Sequence, residues 1–384
     1  QEGPAKISAR VERSISQPTQ EVQLADAVTY MRGFNEAIVT RDPLGEIRYS
    51  YDKIDNTGRQ GNNWDIIYPN VDWYHMLFKN SQESLRANVS MRGGGTISKY
   101  YVAGSYSDDN GMLNVDKRNN FNNNISSKKY SLRANVDINV TKTTRLSVRL
   151  SGNFDDYTGP YTSTSDLYNQ IMHTDQALFL PYYTPHETDE DMQGYRHIMF
   201  GNYDTGTYYN PYAAMVRGYQ DYNRSQMIAA VELNQDLSFI TKGLSAMTLF
   251  NLTRLSDYRV YRYYNPYYYQ VDSYDSFSGE YKLVALNPTG GTDYLGYSEG
   301  KKAVVKTTYS ESRLTYNREF GKHTVGGLLV FTVREQLKAN QGNLLNSLPI
   351  RNAGLSGRFT YGYDSRYFAE FNCGYNGSER FSKS

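Results

Sequence analysis

Five histidines, His75, His173, His186, His197 and His323, are the side chains of this sequence best suited to metal ligation. Three of them share one stretch with the acidic run Asp189-Glu190-Asp191, but they lie 13 and 11 residues apart. A zinc site needs closer, convergent spacing such as His-x3-His. The acidic run lacks the 12-residue calcium-loop pattern, so it reads as a solvated loop. No G-x-S-x-G elbow is present. Gly93-Gly94-Gly95 joins two strand-like segments instead of opening a helix, so it reads as a tight turn with φ > 0, not as a dinucleotide loop. The one cysteine, Cys373, excludes an internal disulfide and a Cys-based zinc site. No catalytic residue, metal site or cofactor is expected, and the chain reads as no enzyme. What remains are recognition side chains. Arg86, Asn88, Arg133, Asn135, Asp137 and Arg149 stand at alternate positions of strand-like segments. Trp64, Trp73, Tyr182, Tyr183, Tyr208, Tyr209, Tyr267, Tyr268 and Tyr269 crowd the long segments between, where exposed rings could stack on a substrate or a partner.

The composition says which kind of scaffold holds such residues. The 384 residues carry 41 Lys+Arg against 40 Asp+Glu, a balance without the basic excess of a nucleic-acid binder. Mean hydropathy is −0.68, yet the chain has 38 Tyr and 15 Phe, too many aromatics for a disordered chain. The longest apolar run, Val325 to Val333, is half of what a membrane helix needs and contains two glycines. Residue 1 is Gln and no signal peptide precedes it, so the sequence is expected to be a mature or internal piece.

Period-two alternation is the dominant pattern. From Tyr130 to Thr141, Tyr130, Leu132, Ala134, Val136, Ile138 and Val140 oppose Ser131, Arg133, Asn135, Asp137, Asn139 and Thr141. Ser84–Arg92 and Arg145–Asp155 repeat it, and so does Arg366–Asn376, with Phe368 as its one breach. Strands are expected near 4–16, 83–92, 98–108, 128–141, 145–156, 224–240, 243–258, 303–319, 323–338, 354–363 and 366–377. Short turns alternate with long segments at about 17–82, 109–127, 157–223, 259–302 and 339–353. In a meander, that puts every turn at one end and every long loop at the other. Strand length, polar and apolar faces and loop asymmetry together describe an all-β, transmembrane, antiparallel up-and-down barrel with an aqueous lumen. A soluble sandwich or propeller would keep most connections short and would not set Arg133 and Asp137 in mid-strand. An odd count of about eleven strands cannot close in lipid, so the chain is expected to be part of a larger barrel. Glu21–Val39 has apolar residues at helical spacing after Pro18 and Thr19, and reads as a loop helix packed on the loop's own core.

Several stretches resemble the SusC-like TonB-dependent transporters of Bacteroidota. They are Asp26–Ala37 (DAVTYMRGFNEA), Tyr68–Tyr74 (YPNVDWY), Val89–Met112 (VSMRGGGTISKYYVAGSYSDDNGM), Tyr130–Gly152 and Leu348–Phe381 (LPIRNAGLSGRFTYGYDSRYFAEFNCGYNGSERF). The resemblance runs over essentially the whole chain, in the order of the first half of that family's barrel. It implies a 22-stranded barrel in the outer membrane of a Gram-negative bacterium, with residues 1–384 as its N-terminal half. It also implies a plug domain, a SusD-like surface lipoprotein as lid, and energy from TonB–ExbB–ExbD. The plug, the TonB box and the second half of the barrel lie outside this sequence. The expected activity is import of a bulky nutrient, an oligosaccharide or a peptide. The alternative is a SusC-like barrel serving as a structural subunit of a larger outer-membrane assembly or secretion complex. The motifs are architectural, and substrate choice is expected in the less familiar 157–223 and 259–302 loops.

Overall fold

The structure, a computed structural model, describes residues 3–115 and 117–379. Its strands are β1 (Gly3–Ser16), β2 (Gln82–Gly94), β3 (Ser98–Asn110), β4 (Ser126–Asn139), β5 (Thr144–Pro160), the short β6 (Tyr182–Tyr183) and β7 (Met199–Gly201), β8 (Gly218–Asp236), β9 (Leu244–Tyr263), the shorter β10 (Tyr267–Tyr274) and β11 (Tyr281–Ala285), β12 (Gly296–Phe320), β13 (His323–Ala339), β14 (Ile350–Tyr363) and β15 (Tyr367–Ser378). Eleven of them form one sheet in the order β1-β2-β3-β4-β5-β8-β9-β12-β13-β14-β15. Every neighbouring pair is antiparallel. These are the eleven expected strands, and within the sheet β1 and β15 each have a neighbour on one side only. Among the described residues, no helix is long and apolar enough to cross a membrane.

Register fixes the faces, because residues directly opposite on paired strands point the same way. Arg86 pairs with Ser107, Ser107 with Lys129, and Asn135 with Arg149. Arg86, Asn88, Arg133, Asn135, Asp137 and Arg149 therefore share one face, as the alternation required. Leu85, Val89, Leu132, Val136, Leu150, Phe331 and Cys373 share the other. The apolar face is open: Leu132 is 61% and Phe371 65% exposed. Phe368, the breach in the alternation, lies on the polar face directly opposite Gly362, which leaves its ring room.

One end of the sheet has short connections. In the β14–β15 turn, Asp364 and Ser365 both adopt positive φ, as the right-handed strand twist favours. The β8–β9 connection spans 237–243, not Thr241-Lys242 alone. β8 stops at Asp236, and Phe239 and Ile240 stand exposed in the turn. Gly243 is needed there: at φ +88, a Cβ would lie 1.9 Å from the Asn317 carbonyl oxygen. The Gly93-Gly94-Gly95 expectation needs correcting. Gly93 and Gly94 belong to β2, and none of the three has positive φ. Glycine suits Gly94 because a Cβ would meet the Ser98 carbonyl at 2.6 Å.

The opposite end carries the long connections, 17–81, 111–125, 161–217, 264–295 and 340–349. The third and fourth are shorter than the alternation indicated. β5, β8, β9 and β12 continue past it, with Pro160 still opposite Tyr219 and Tyr263 opposite both Gly218 and Gly296. Alternation lapses where aromatics occupy both faces, but backbone pairing does not.

These connections fold together. They contain α1 (Ala27–Arg41), α2 (Tyr51–Asn56), α3 (Trp64–Ile67), α4 (Trp73–Leu77), α5 (Thr164–His173) and α6 (Pro211–Val216), and α7 (Leu344–Ser347) lies in the last one. α1 starts later than the apolar spacing implied. Asp26 caps it by accepting from the Thr29 N–H at 3.0 Å, and residues 21–26 are not helical. Its buried stripe, Ala27, Met31 and Asn35, packs with Tyr49, Ile54 and Ala177, so it does face the loops' own core. A second cluster joins Val71, Trp73 and Leu77 to Leu113 and to Leu167, Ile171, Phe179, Phe200, Tyr212 and Met215. The buried apolar core of the described residues thus lies in this loop cap, not against the sheet.

Candidate functional site

Two regions gather side chains that could recognise a ligand: the polar face of the long sheet and the aromatic interior of the cap. On the sheet, Asp137 accepts from Arg149 Nη2 at 2.7 Å and from the Ser147 hydroxyl at 2.6 Å. Asn135, Asp137 and Arg149 line an open cleft of about 830 Å³ together with Lys6, Arg92 and Lys99. A second cleft, about 590 Å³, brings Arg86 and Asn88 to Asn153, Asp155, Arg224 and Gln226. Arg133 stands on the same face, opposite Ala103 and Ser151, but lines neither cleft. The first cleft is cationic, with four basic residues, Lys6, Arg92, Lys99 and Arg149, against Asp137.

In the cap, β6, β7, β10 and β11 form a small sheet in the order β11-β10-β7-β6. β7 and β10 pair in parallel, Met199 with Tyr267 and Gly201 with Tyr269, which draws 161–217 and 264–295 together. His197 sits at this seam. Its ring stacks on Tyr267 at 4.1 Å and 24°, with Tyr269 at 5.9 Å and Tyr195 at 5.1 Å. Nδ1 faces the Asp293 carboxylate at 3.4 Å, and Nε2 shares a 2.8 Å hydrogen bond with the Tyr269 hydroxyl. Burial holds the imidazole below its ordinary pKa, and the attraction of Asp293 does not overcome this. Burial likewise pushes the Tyr183 and Tyr269 hydroxyls up to about 12. Beside His197 opens a cleft of about 550 Å³ lined by Arg118, Phe121, Arg196, Tyr264, Tyr267 and Tyr294 among others.

The nine aromatics singled out from the sequence divide into three groups. Trp73, Tyr183 and Tyr269 are buried and cannot meet a ligand at the surface. Trp73, 0% exposed, packs edge-on against Phe179 at 6.0 Å, and its indole N–H reaches the Asp175 carbonyl. Trp64, Tyr182, Tyr267 and Tyr268 are half-buried. Trp64 stacks on Tyr68 at 5.3 Å under Arg59 and meets Tyr274 edge-on, which clamps α3 to β10. Tyr182 lies under the Arg118 guanidinium at 3.9 Å. Only Tyr208 and Tyr209 are exposed. The acidic run also differs from a fully solvated loop: Asp189 turns inward and is 8% exposed, while Glu190 and Asp191 remain outside. Among the described residues, no three His, Cys, Asp or Glu side chains converge as a metal site. Sequence reasoning weighed His197 as a metal ligand only. Arg118, Asp293 and Tyr294 were missed, since their partners are brought by a parallel pairing between loops that no local pattern encodes.

No protein-family model and no curated protein sequence matches the chain. Solved structures do. The RagAB peptide transporter aligns over 99% of this chain with a TM-score of 0.60 and 15% identity. The RagAB peptide importer aligns in its "closed-closed" state over 98% (0.59, 15%) and in its "open-open" state over 99% (0.57, 16%). The alignments take in 43%, 42% and 42% of those chains, so this chain spans less than half their length. The eleven-stranded sheet with its cap therefore has the fold of part of the RagAB transporter chain.

Proposed function

We propose that this chain forms the N-terminal half of an outer-membrane, TonB-dependent barrel that imports a bulky nutrient, a peptide or an oligosaccharide. The observation that carries the reading is the two-faced sheet. One face is exposed aliphatic and aromatic, the other holds Arg, Asn and Asp in two clefts, and a folded cap stands at one end. Apolar-out and polar-in alternation is what lipid on one side and water on the other require. The unpaired edges of β1 and β15 are then taken by further strands, because an open edge in hydrocarbon leaves backbone groups unsatisfied, and the resemblance implies 22 strands in all. A lumen of that width needs a plug. The likeness to a peptide importer supports the substrate class, and the cap, with its half-buried rings and Arg118, is the surface offered to substrate and to a SusD-like lipoprotein lid. The clefts' Arg and Asn side chains donate to backbone or sugar oxygens, while the cationic excess around Asp137 favours substrates carrying carboxylates.

Growth tests this. A strain deleted for the gene should fail on a defined oligopeptide or oligosaccharide as sole source. Wild-type protein should restore growth, and protein lacking much of 161–217 should not. Unchanged growth on every such source, with a surface complex lost instead, would make the barrel a structural subunit of an assembly.

A further inference from the structure

On the apolar face, Arg254 of β9 and Lys306 of β12 stand directly opposite each other. Both are exposed. Like charges at directly paired positions repel, and the nearest carboxylate is Glu335, opposite Thr308 and one rung from Lys306 on the same face. The neighbouring ions are already engaged. Glu335, on the next strand, is held by Arg351 at 2.8 Å, and Lys302 is bound by Glu299. Among the described residues neither Arg254 nor Lys306 has an ion pair or a hydrogen bond. The hydroxyls of Ser256 and Thr308 occupy the adjacent rungs of the same face. Met227 stands directly opposite Arg254 on β8, and Phe250 and Phe331 lie beyond Thr308 toward the short-turn end, all exposed.

Height matters as much as charge. Arg254 is ten residues up β9 from Leu244, at the short-turn end. At about 3.3 Å per residue and a tilt near 40°, that is roughly 25 Å, the height of a barrel's apolar band. Tyr258, two rungs nearer the cap, is at the level where aromatic girdles stand. The cations thus sit at the upper rim of the apolar band, over a surface that suits acyl chains.

We infer that Arg254 and Lys306 form a binding site for the phosphate of a membrane lipid in the leaflet on the cap side, with Ser256 and Thr308 as further donors. The inference rests on the membrane-spanning reading above. A phosphate between the two cations removes their repulsion and satisfies both at once, which neither bulk lipid tails nor water at this depth does.

The test uses the full-length natural protein, purified in mild detergent and reconstituted with phosphatidylglycerol or with phosphatidylcholine, with retained lipid counted by native mass spectrometry. Preferential retention of phosphatidylglycerol is expected. It should fall roughly 25-fold in the Arg254→Gln/Lys306→Gln double variant, at about fivefold per basic side chain. Lys302→Gln, whose charge Glu299 already engages, should keep it. Equal retention of the two lipids by wild type overturns the inference without needing any variant. So does retention undiminished in the double variant, or phosphatidylglycerol displaced by millimolar inorganic phosphate. Failure of the protein to insert into either bilayer overturns the membrane-spanning reading and this inference with it, whereas insertion without lipid preference overturns this inference alone.

Discussion

Tyr49, in the first long connection, donates its hydroxyl to the carboxylate of Asp175, 126 residues further on. The tyrosine is 1% exposed, and desolvation together with this hydrogen bond raises its pKa far above the ordinary value. The bond ties α1 and α2 to the start of the third connection. Tyr49→Phe keeps the ring packing against Phe34 and removes only the hydroxyl. The expected loss is about 1–3 kcal/mol of cap stability. It should appear as faster proteolysis of 17–81 and 161–217, with heat-modifiable migration of the barrel unchanged.

Cap and sheet should fail separately. Trp73→Ala empties a fully buried site among Leu77, Leu167 and Phe179 and should cost the cap about 3–5 kcal/mol. Tyr209→Ala, at an exposed position, should stay within about 0.5 kcal/mol. Hydrogen-exchange protection of cap amides distinguishes the two. Equal effects would mean that the cap has no cooperative core.

His197 predicts a pH dependence of defined sign. Its pKa is lowered on folding, chiefly by burial, so its contribution is fully present above the ordinary value of 6.5 and is lost as pH falls toward the folded value. Cap stability measured in urea should therefore be flat near pH 7.5 and decline as the pH falls below about 6.5. His75, raised by its hydrogen bond to Asp72, acts in the opposite sense, so the comparison must be with a His197→Gln variant. That variant should flatten the acid limb. Asp293→Asn removes the one attraction that favours imidazolium and should steepen it.

Sidedness is tested by adjacent residues. Leu132→Arg places a charge on the apolar face and should cost about 2–4 kcal/mol if the position lies near the bilayer midplane. Arg133→Leu, one residue on, lies on the polar face and should cost far less. Comparable losses, read as unfolding midpoints after reconstitution in vesicles, would remove the distinction between the two faces.

Cys373 offers a chemical check. It shares the apolar face with Phe371 and Tyr375 and is exposed in the described chain. In intact outer membranes it should react slowly with a water-soluble maleimide and readily with a membrane-permeant one. Rapid labelling by the water-soluble reagent would mean that lipid does not cover β15.

Much of the sheet was legible because each strand has one polar and one apolar face, and that contrast writes itself into alternate residues. Tyr130–Thr141 and Arg145–Asp155 needed no knowledge of their neighbours. The cap was legible only as a set of loops too long to be unstructured. Trp73 looked like a contact residue because its burial depends on Leu113 and Phe179, and Val71 N–H bonds to Gln176 C=O across 105 positions of chain. The helix start was misread because apolar spacing is blind to caps, while Asp26 with Thr29 three residues on was available to be read. The strand ends near Tyr219 and Tyr263 were missed because aromatic residues on both faces erase the period while leaving the hydrogen-bond ladder intact.

The cap's third cluster needs Tyr183, Met199, Tyr269, Tyr281 and Leu283 together. This sets a timetable. The first connection, with its tryptophans and tyrosines, emerges some two hundred residues before Leu283 exists, and it cannot dock on β10 until then. Closing contacts over such separations is slow, because chain entropy must be lost before any contact compensates it. The other two clusters can form earlier, because every buried residue in them lies within 27–216, and only the docking of α3 on β10 waits for the later segments. Assembly of the cap is therefore staged, with the layer of β10 and β11 added last.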